Sequence, residues 1–199
     1  MDGICGYTAP YGVSMGRMQD KKGFYYFPNT TKGAENSSNG YKYIADAPAF
    51  NVKPGVYNKE KSLTLTLIHK ERRVHYTTDG SWPTANSPLL KDSIRIDTTT
   101  VIRAYAEGDS TSLQSSVVTS TYFMREEHTI PVVNISVNSA DLFDPVHGIY
   151  MDGPNKGTEY PYMTANYWQK VWKKAHIEFY DTYGKGSFSL DCGLSIFGG

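Results

Sequence analysis

The 199-residue chain has only two cysteines, no net charge and no long apolar run, and each shortage removes a class of protein. Cys5 and Cys192 have no partners at Cys-x-x-Cys spacing. That excludes zinc ribbons and dithiol redox motifs, and leaves a single long-range pairing of the two open. Twenty Lys and Arg against twenty Asp and Glu leave no field to gather a polyanion, so nucleic acid is not an expected partner. No apolar stretch approaches the roughly 20 residues needed to cross a bilayer, and membrane insertion is not expected. The opening MDGICGYTAPYG lacks the basic start and apolar core of a secretory signal, so any export is encoded elsewhere. The histidines His69, His75, His128, His147 and His176 never fall at His-x-His or His-x-x-x-His spacing, and no metal site is expected from them.

What the chain has in quantity is tyrosine, 16 residues, and glycine, 18 residues, a composition of short strands joined by turns. Three zones separate. Up to about residue 43 only FYYF at 24–27 can form a buried strand, and NTTKGAENSSNG at 29–40 reads as an exposed linker of turn residues. In the second zone, SLTLTLIH at 62–69 sets Leu63, Leu65 and Leu67 on one face and Thr64 and Thr66 on the other. HKERR at 69–73 reads as a solvated hairpin turn after it. VHYTT, SIRI, TVIRAYAE and SVVTSTYF follow at short intervals, which predicts a small antiparallel sandwich. The third zone opens with TIPVVNISV, where Pro131 implies an edge or a strand start. Ser139 is the expected N-cap of one helical turn ended by Pro145. In YGKGSFSLDCGLSIFGG the shared parity of Phe188, Leu190, Cys192, Leu194 and Ile196 predicts a strand with one buried face, and the closing Gly198-Gly199 suggests a fragment.

VHYTTDGSWPTANSPLL at 74–90, followed by SIRIDTTTVIRAYAEGDSTSLQSSVVTSTYF, resembles the chitobiase/β-hexosaminidase C-terminal type domain, a small immunoglobulin-like sandwich. That resemblance implies a fold without an active site, because in chitobiases the module is an appendage to a catalytic barrel. IPVVNISVNSADLFDPVHGIYMDGP at 130–154, with KKAHIEFYDTYGKGSFSLDCGLSIFGG at 173–199, resembles the opening of the CotH family of spore-coat, atypical-kinase proteins. The resemblance implies that the nucleotide- and metal-binding acidic residues lie downstream of the Gly-Gly. YGVSMGRMQDKKGFYYFPNTTKGAENS is similar to the tail of a lamin-tail-type sandwich, with Lys32 standing where that family has proline. The expected division is therefore 1–43, the end of a lamin-tail-like domain and linker; 44–124, the sandwich; and 125–199, the truncated start of a CotH-like domain.

Chemistry is sparse beside this. Kinase catalysis needs groups for ATP phosphates and a divalent metal; Gly184-Lys185-Gly186 sits between strand-like segments and reads as a hairpin turn, and Lys173 and Lys174 as solvated lysines. Glycoside hydrolysis needs two facing carboxyls, and Asp79 has no second one near it in sequence. DLFDP and IYMDGPN lack the alternating oxygen ligands of a calcium loop. The candidate carbohydrate contacts are Tyr160, Tyr162, Tyr167 and Trp168, with Trp172 beyond them, because exposed aromatic rings stack on sugars; the competing and preferred expectation is that they fill small cores between domains. Asp79, Gly80, Trp82 and Pro83 read as a structural turn: Asp accepts local backbone hydrogen bonds, Gly tolerates positive φ, Pro ends the ladder and Trp82 covers the open end of the sandwich.

The expectation is thus a mainly β chain, an immunoglobulin-like antiparallel sandwich plus a partial β-rich (α+β) CotH-like segment. It is expected to be non-catalytic, with no catalytic, cofactor-binding or metal-ligating residues of its own; ATP and Mg are expected only in the complete parent protein. Its expected partners are other domains of that parent and a cell-wall or plant polysaccharide or coat proteins, outside the cell, at its surface or in a spore coat. The alternatives are a carbohydrate- or cell-wall-binding module and a piece of an ATP-dependent protein kinase.

Overall fold

The computed structural model describes residues 9, 12–19, 21–36, 39–68 and 72–197. At the N-terminal side, β1 (Ser14–Arg17) and β2 (Phe24–Phe27) form an antiparallel hairpin. Phe27 is buried, and a side chain at Gly40 would collide with Met18 Sδ and the Phe27 ring, so the chain returns tightly over this pair. The segment expected as a free linker is mostly exposed but tied back: Asn36 Nδ2 donates to the Arg17 carbonyl at 2.7 Å, and Tyr26 and Tyr41 exchange two backbone hydrogen bonds.

The middle of the chain supplies β3 (Tyr43–Ile44), β4 (Gly55–Tyr57), β5 (Leu63–Leu65), β6 (Val74–Thr77), β7 (Ile94–Ile96), β8 (Thr100–Ala106), β9 (Ser112–Leu113) and β10 (Val118–Met124). Four of them make one sheet in the order β4-β10-β8-β6, and β5 pairs with β7 in a second. Leu63, Leu65, Ile94 and Ile96 from the small sheet meet Ile102, Tyr122 and Met124 from the large one, giving the core of an immunoglobulin-like sandwich. The period-2 pattern explains the outcome: Leu63, Leu65 and Leu67 are buried and Thr64 is exposed.

Two expectations are corrected here. The sandwich is not purely antiparallel, since β4 runs parallel to β10 and β3 parallel to β9. Nor do the strands on either side of HKERR pair with each other: β5 pairs with β7 and β6 with β8. Residues 69–71, His69 among them, lie outside the described set. Arg72 and Arg73 are less free than a solvated turn implies, pairing with Asp109 at 3.1 Å and Glu107 at 3.4 Å.

The remaining chain adds β11 (Val132–Val137), the one-turn helix α1 (Ser139–Phe143), a 3-10 turn at Asn166–Trp168, β12 (Lys173–Tyr180) and β13 (Gly186–Leu194), the strands ordered β11-β12-β13. The cap of α1 is Asn138, one residue earlier than expected, because its side chain reaches the Ala140 N–H. Gly184, at φ 74, and the Asp181 carboxylate, which accepts from the Tyr183 and Lys185 N–H groups, make the β12–β13 turn. The face expected to be buried on β13 is open at Phe188 and Leu190, 47% and 48% exposed, and half-buried at Cys192, Leu194 and Ile196. The opposite, polar face of this sheet is the one that packs on the sandwich.

Candidate functional site

β8 is buried on both sides, and that property organises the molecule. Ile102, Ala104 and Ala106 point into the sandwich, while Arg103, with no exposed surface at all, points out of it with Thr119 directly across on β10. The sheet β11-β12-β13 covers this outer face. Arg103 Nη2 donates to the Ser136 carbonyl at 2.9 Å, and its guanidinium lies 4.0 Å from the Trp82 ring centre. Lys174 Nζ approaches the same ring at 3.6 Å, so one indole carries two cations. Burial lowers the Arg103 pKa against the attraction of Asp191, Glu178 and Asp79; burial also lowers that of Lys174, with Arg103 repelling in the same direction.

Glu178, 2% exposed, is the counter-charge in this seam. It accepts from the Thr121 N–H at 3.2 Å, the Tyr180 hydroxyl at 2.7 Å, Asn134 Nδ2 at 3.0 Å and, by a very short bond, the Thr121 hydroxyl. Burial and the Glu178 charge push the Tyr180 phenol far above its ordinary value. A buried carboxylate with four donors is satisfied rather than reactive.

Beside it, His176 bonds on both ring nitrogens, Nδ1 to Asp191 Oδ1 and Nε2 to Ser189 Oγ, each at 2.8 Å. This is the connectivity of a Ser-His-Asp triad, at the edge of two clefts of about 480 and 610 Å³ that share Asp191. The arrangement arises from strand register alone: Asp191 is opposite His176, and Ser189 is the diagonal neighbour opposite Glu178. A nucleophile also needs donors aimed at the developing oxyanion. In a regular strand the N–H groups lie in the sheet plane, across from the side-chain direction, so β13 itself aims none at a carbonyl attacked by Ser189. The two hydrogen bonds of the trio tie β12 to β13 on the side facing the sandwich.

The turn residues fall beside the seam. Asp79 Oδ1 accepts from the Ser81 hydroxyl at 2.6 Å and the Ser81 N–H at 3.0 Å, which holds its carboxyl below the usual range, and Gly80 has φ 76. Pro83 is buried. Trp82 is placed differently from the expectation: it covers the outer face over Arg103, not the open end of the sandwich. Lys173 pairs with Asp141 at 3.4 Å, so neither lysine of the pair is simply solvated.

The aromatic candidates do converge on one another. Tyr160, Tyr162, Tyr167 and Trp168 line an open depression of about 370 Å³ with Pro161, Ile196 and Phe197. Tyr160 is 85% exposed and meets Tyr162 edge-to-face at 5.9 Å. Lys156 Nζ sits 4.4 Å over the Tyr162 ring, and Trp168 Nε1 donates to the Pro161 carbonyl at 2.7 Å. These rings pack on each other at the surface rather than filling a core between units; none of the three residues of the 3-10 turn is buried. Trp172, 73% exposed, lies apart over Gly193. Among the described residues no three His, Cys, Asp or Glu side chains gather as a metal site, and no helix is long and apolar enough to cross a membrane. Cys192 is half-buried on β13, and its candidate partner Cys5 lies outside the described residues.

The class this fold defines is an immunoglobulin-like β-sandwich carrying a further sheet that packs its polar face on it. Residues 52–120, the larger part of the sandwich, match the family model of the chitobiase/β-hexosaminidase C-terminal domain. The chain is also similar to an endoglucanase of Clostridium saccharobutylicum, 42% identical over 41 residues; the match covers 21% of this chain and 9% of that protein's length.

Proposed function

We propose that this chain is a non-catalytic presentation module of a secreted, surface-displayed bacterial protein, in which the sandwich holds the following sheet in a fixed orientation. The observation that carries this reading is the buried seam of Arg103, Trp82, Glu178 and Tyr180 between the two sheets. A flexible spacer has no use for it, since burying polar groups is costly unless the geometry they fix is needed. Similarity to domains of proteins named chitobiase, β-hexosaminidase and endoglucanase supports a carbohydrate-active, extracellular setting. Within this reading, 1–43 is the end of a lamin-tail-like domain and 125–199 the start of a CotH-like domain of a cell-surface or spore-coat parent. Any ATP and magnesium chemistry then belongs to other parts of that parent. The test is threefold: calorimetry with Mg-ATP, phosphorylation of a Ser-rich peptide, and a fluorophosphonate probe directed at Ser189. A signal in any of them refutes the non-catalytic reading.

A second reading is favoured by the exposed Tyr160 ring and the half-buried rings of Tyr162, Tyr167 and Trp168 that line one open depression with it. It makes the chain a polysaccharide-binding module. Retention on insoluble chitin, cellulose or peptidoglycan, abolished by Trp168→Ala at unchanged thermal stability, is its signature; passage through all three matrices removes it.

A further inference from the structure

The smaller of the two clefts beside His176, about 480 Å³, lies between β10, the 48–54 segment and β13. Thr119 lines it, only 6% exposed, and its hydroxyl has no hydrogen-bond partner among the protein atoms. The backbone of Thr119 turns to the same cleft. In an antiparallel pair, alternate residues direct their N–H and carbonyl to opposite edges of the strand. The Glu107 N–H bonds the Arg73 carbonyl, which turns the odd-numbered residues of β8 toward β6 and leaves Ile102 and Ala104 to bond Ser120 and Val118 of β10. Thr119 and Thr121 therefore direct their backbone groups to the other edge of β10. There Thr121 is met by the Glu178 carboxylate and the Tyr180 hydroxyl, and β4 pairs only with Tyr122–Met124. Thr119 is left with an N–H, a carbonyl and a hydroxyl, and among the described residues no strand lies beside it.

We propose that this cleft binds a sugar unit carrying one amide, an N-acetylated hexosamine. A single ladder position, one N–H and one carbonyl, is complementary to a single amide group. It is too short for a peptide strand, since the backbone of Thr121 is already taken and strands usually run to about three residues or more. The rest of the cleft suits hydroxyls better than a charge. Lys53 and Asp191 offset each other in its lining. Asp191 gives Oδ1 to His176 and its side chain is 49% exposed, so Oδ2 can accept from sugar hydroxyls, while the Ser189 hydroxyl can donate or accept. Phe50 and Val52 supply apolar wall for the C–H face of a ring. The volume lies within the about 300–1,000 Å³ of small-ligand sites, where a few placed polar groups fix orientation. This cleft shares no residue with the Tyr160–Trp168 depression, so the inference goes beyond the polysaccharide reading and stands or falls without it.

Titration of the isotope-labelled 199-residue chain with N,N′-diacetylchitobiose, followed in amide correlation spectra, tests this, with cellobiose as the amide-free control. The expected result is a saturable shift of the Thr119, Ser120 and Asp191 amides with a midpoint in about the millimolar range, and a response to cellobiose about tenfold weaker or less. Thr119→Val removes only a hydroxyl that bonds no protein atom, so the melting temperature is expected to hold while the midpoint rises about three- to tenfold. Trp168→Ala is expected to leave the midpoint unchanged, which separates this site from the aromatic depression. Should Thr119→Val fail to fold, the shift map of the native chain decides. No saturable shift at about 20 mM, which leaves the Thr119 groups to water, overturns the inference. So do an equal response to cellobiose, shifts confined to residues 160–168, or a midpoint indifferent to Thr119→Val. Equal saturation by N-acetylalanine N-methylamide overturns it too, because the amide's carrier would then be a peptide.

Discussion

Replacing Glu178 by alanine removes the acceptor common to four donors, and the cost follows from which donors have a second partner. Tyr180 Oη also reaches the Thr121 carbonyl at 3.2 Å, and Asn134 Nδ2 also bonds Thr121 Oγ1 at 2.8 Å and Ser136 Oγ at 3.1 Å. Those two keep partial satisfaction. The Thr121 N–H and hydroxyl lose the acceptor shown for them, at about 1–3 kcal/mol per stranded buried donor. Arg103, fully buried, loses a neighbouring counter-charge as well. Together these predict a loss of about 3–5 kcal/mol, the range for removing one side of a buried ionic pair and a large part of the about 5–15 kcal/mol that a domain has. Urea unfolding with linear extrapolation measures it. Glu178→Gln separates charge from shape: its oxygen still serves Tyr180 and the Thr121 N–H, while its amide points donors at Asn134 and the Thr121 hydroxyl, so an intermediate loss is expected. If alanine costs less than about 1 kcal/mol, the seam does not hold the two sheets together and the reasoning fails.

Leu65→Ala, at a side chain with no exposed surface in the centre of the sandwich, is expected to cost about 3 kcal/mol in the same assay. Asp79→Ala is expected to cost about 1 kcal/mol at neutral pH through its lost bonds to Ser81. Because folding lowers the Asp79 pKa, its contribution is complete above the unfolded value of about 3.9 and fades as pH falls through the depressed folded value. Thermal melts of wild type and variant should therefore converge at the acid end; a gap that stays constant to low pH counts against the carboxylate's role. Trp82→Leu removes the ring between Arg103 and Lys174 and is expected to lower stability while leaving retention on polysaccharide matrices as it was, so a loss of retention alone would move the binding site to the seam.

The sandwich could be read from residue pattern because its determinants are local. Alternation in Leu63, Leu65 and Leu67, and the turn chemistry of Asp79 and Gly80, act within a few residues. Strand pairing is not local: the expected hairpin at HKERR failed because β6 finds β8 about 30 residues downstream. The parity of Phe188, Leu190, Cys192, Leu194 and Ile196 correctly marked one apolar face, but parity says nothing about which face another layer covers. For the same reason the seam was invisible in sequence. Thr121 and Glu178 are 57 residues apart, and the signal that was available, a polar parity of Lys174, His176, Glu178 and Tyr180 beside an apolar one, normally indicates a solvent face.

That reversal bears on what kind of module this is. A free-standing sandwich keeps one face of each sheet in water, and β8 would then alternate between buried and exposed positions. Here Ile102, Arg103, Ala104, Tyr105 and Ala106 are all buried in succession, and the residues that face outward, Arg103 and Tyr105, are too large and too polar to have been placed for core packing. They are committed to neighbours. The Arg103 guanidinium cannot shed its charge at ordinary pH, so its burial is sustainable only while Trp82, Ser136 and the Glu178 and Asp191 carboxylates surround it. The outer face of the sandwich therefore requires the sheet β11-β12-β13, and that sheet, by turning its polar side inward to supply these partners, is obliged to turn Val133, Ile135, Phe188 and Leu190 outward. One choice of orientation at Arg103 thus produces both the rigid junction and the outward apolar face of the sheet.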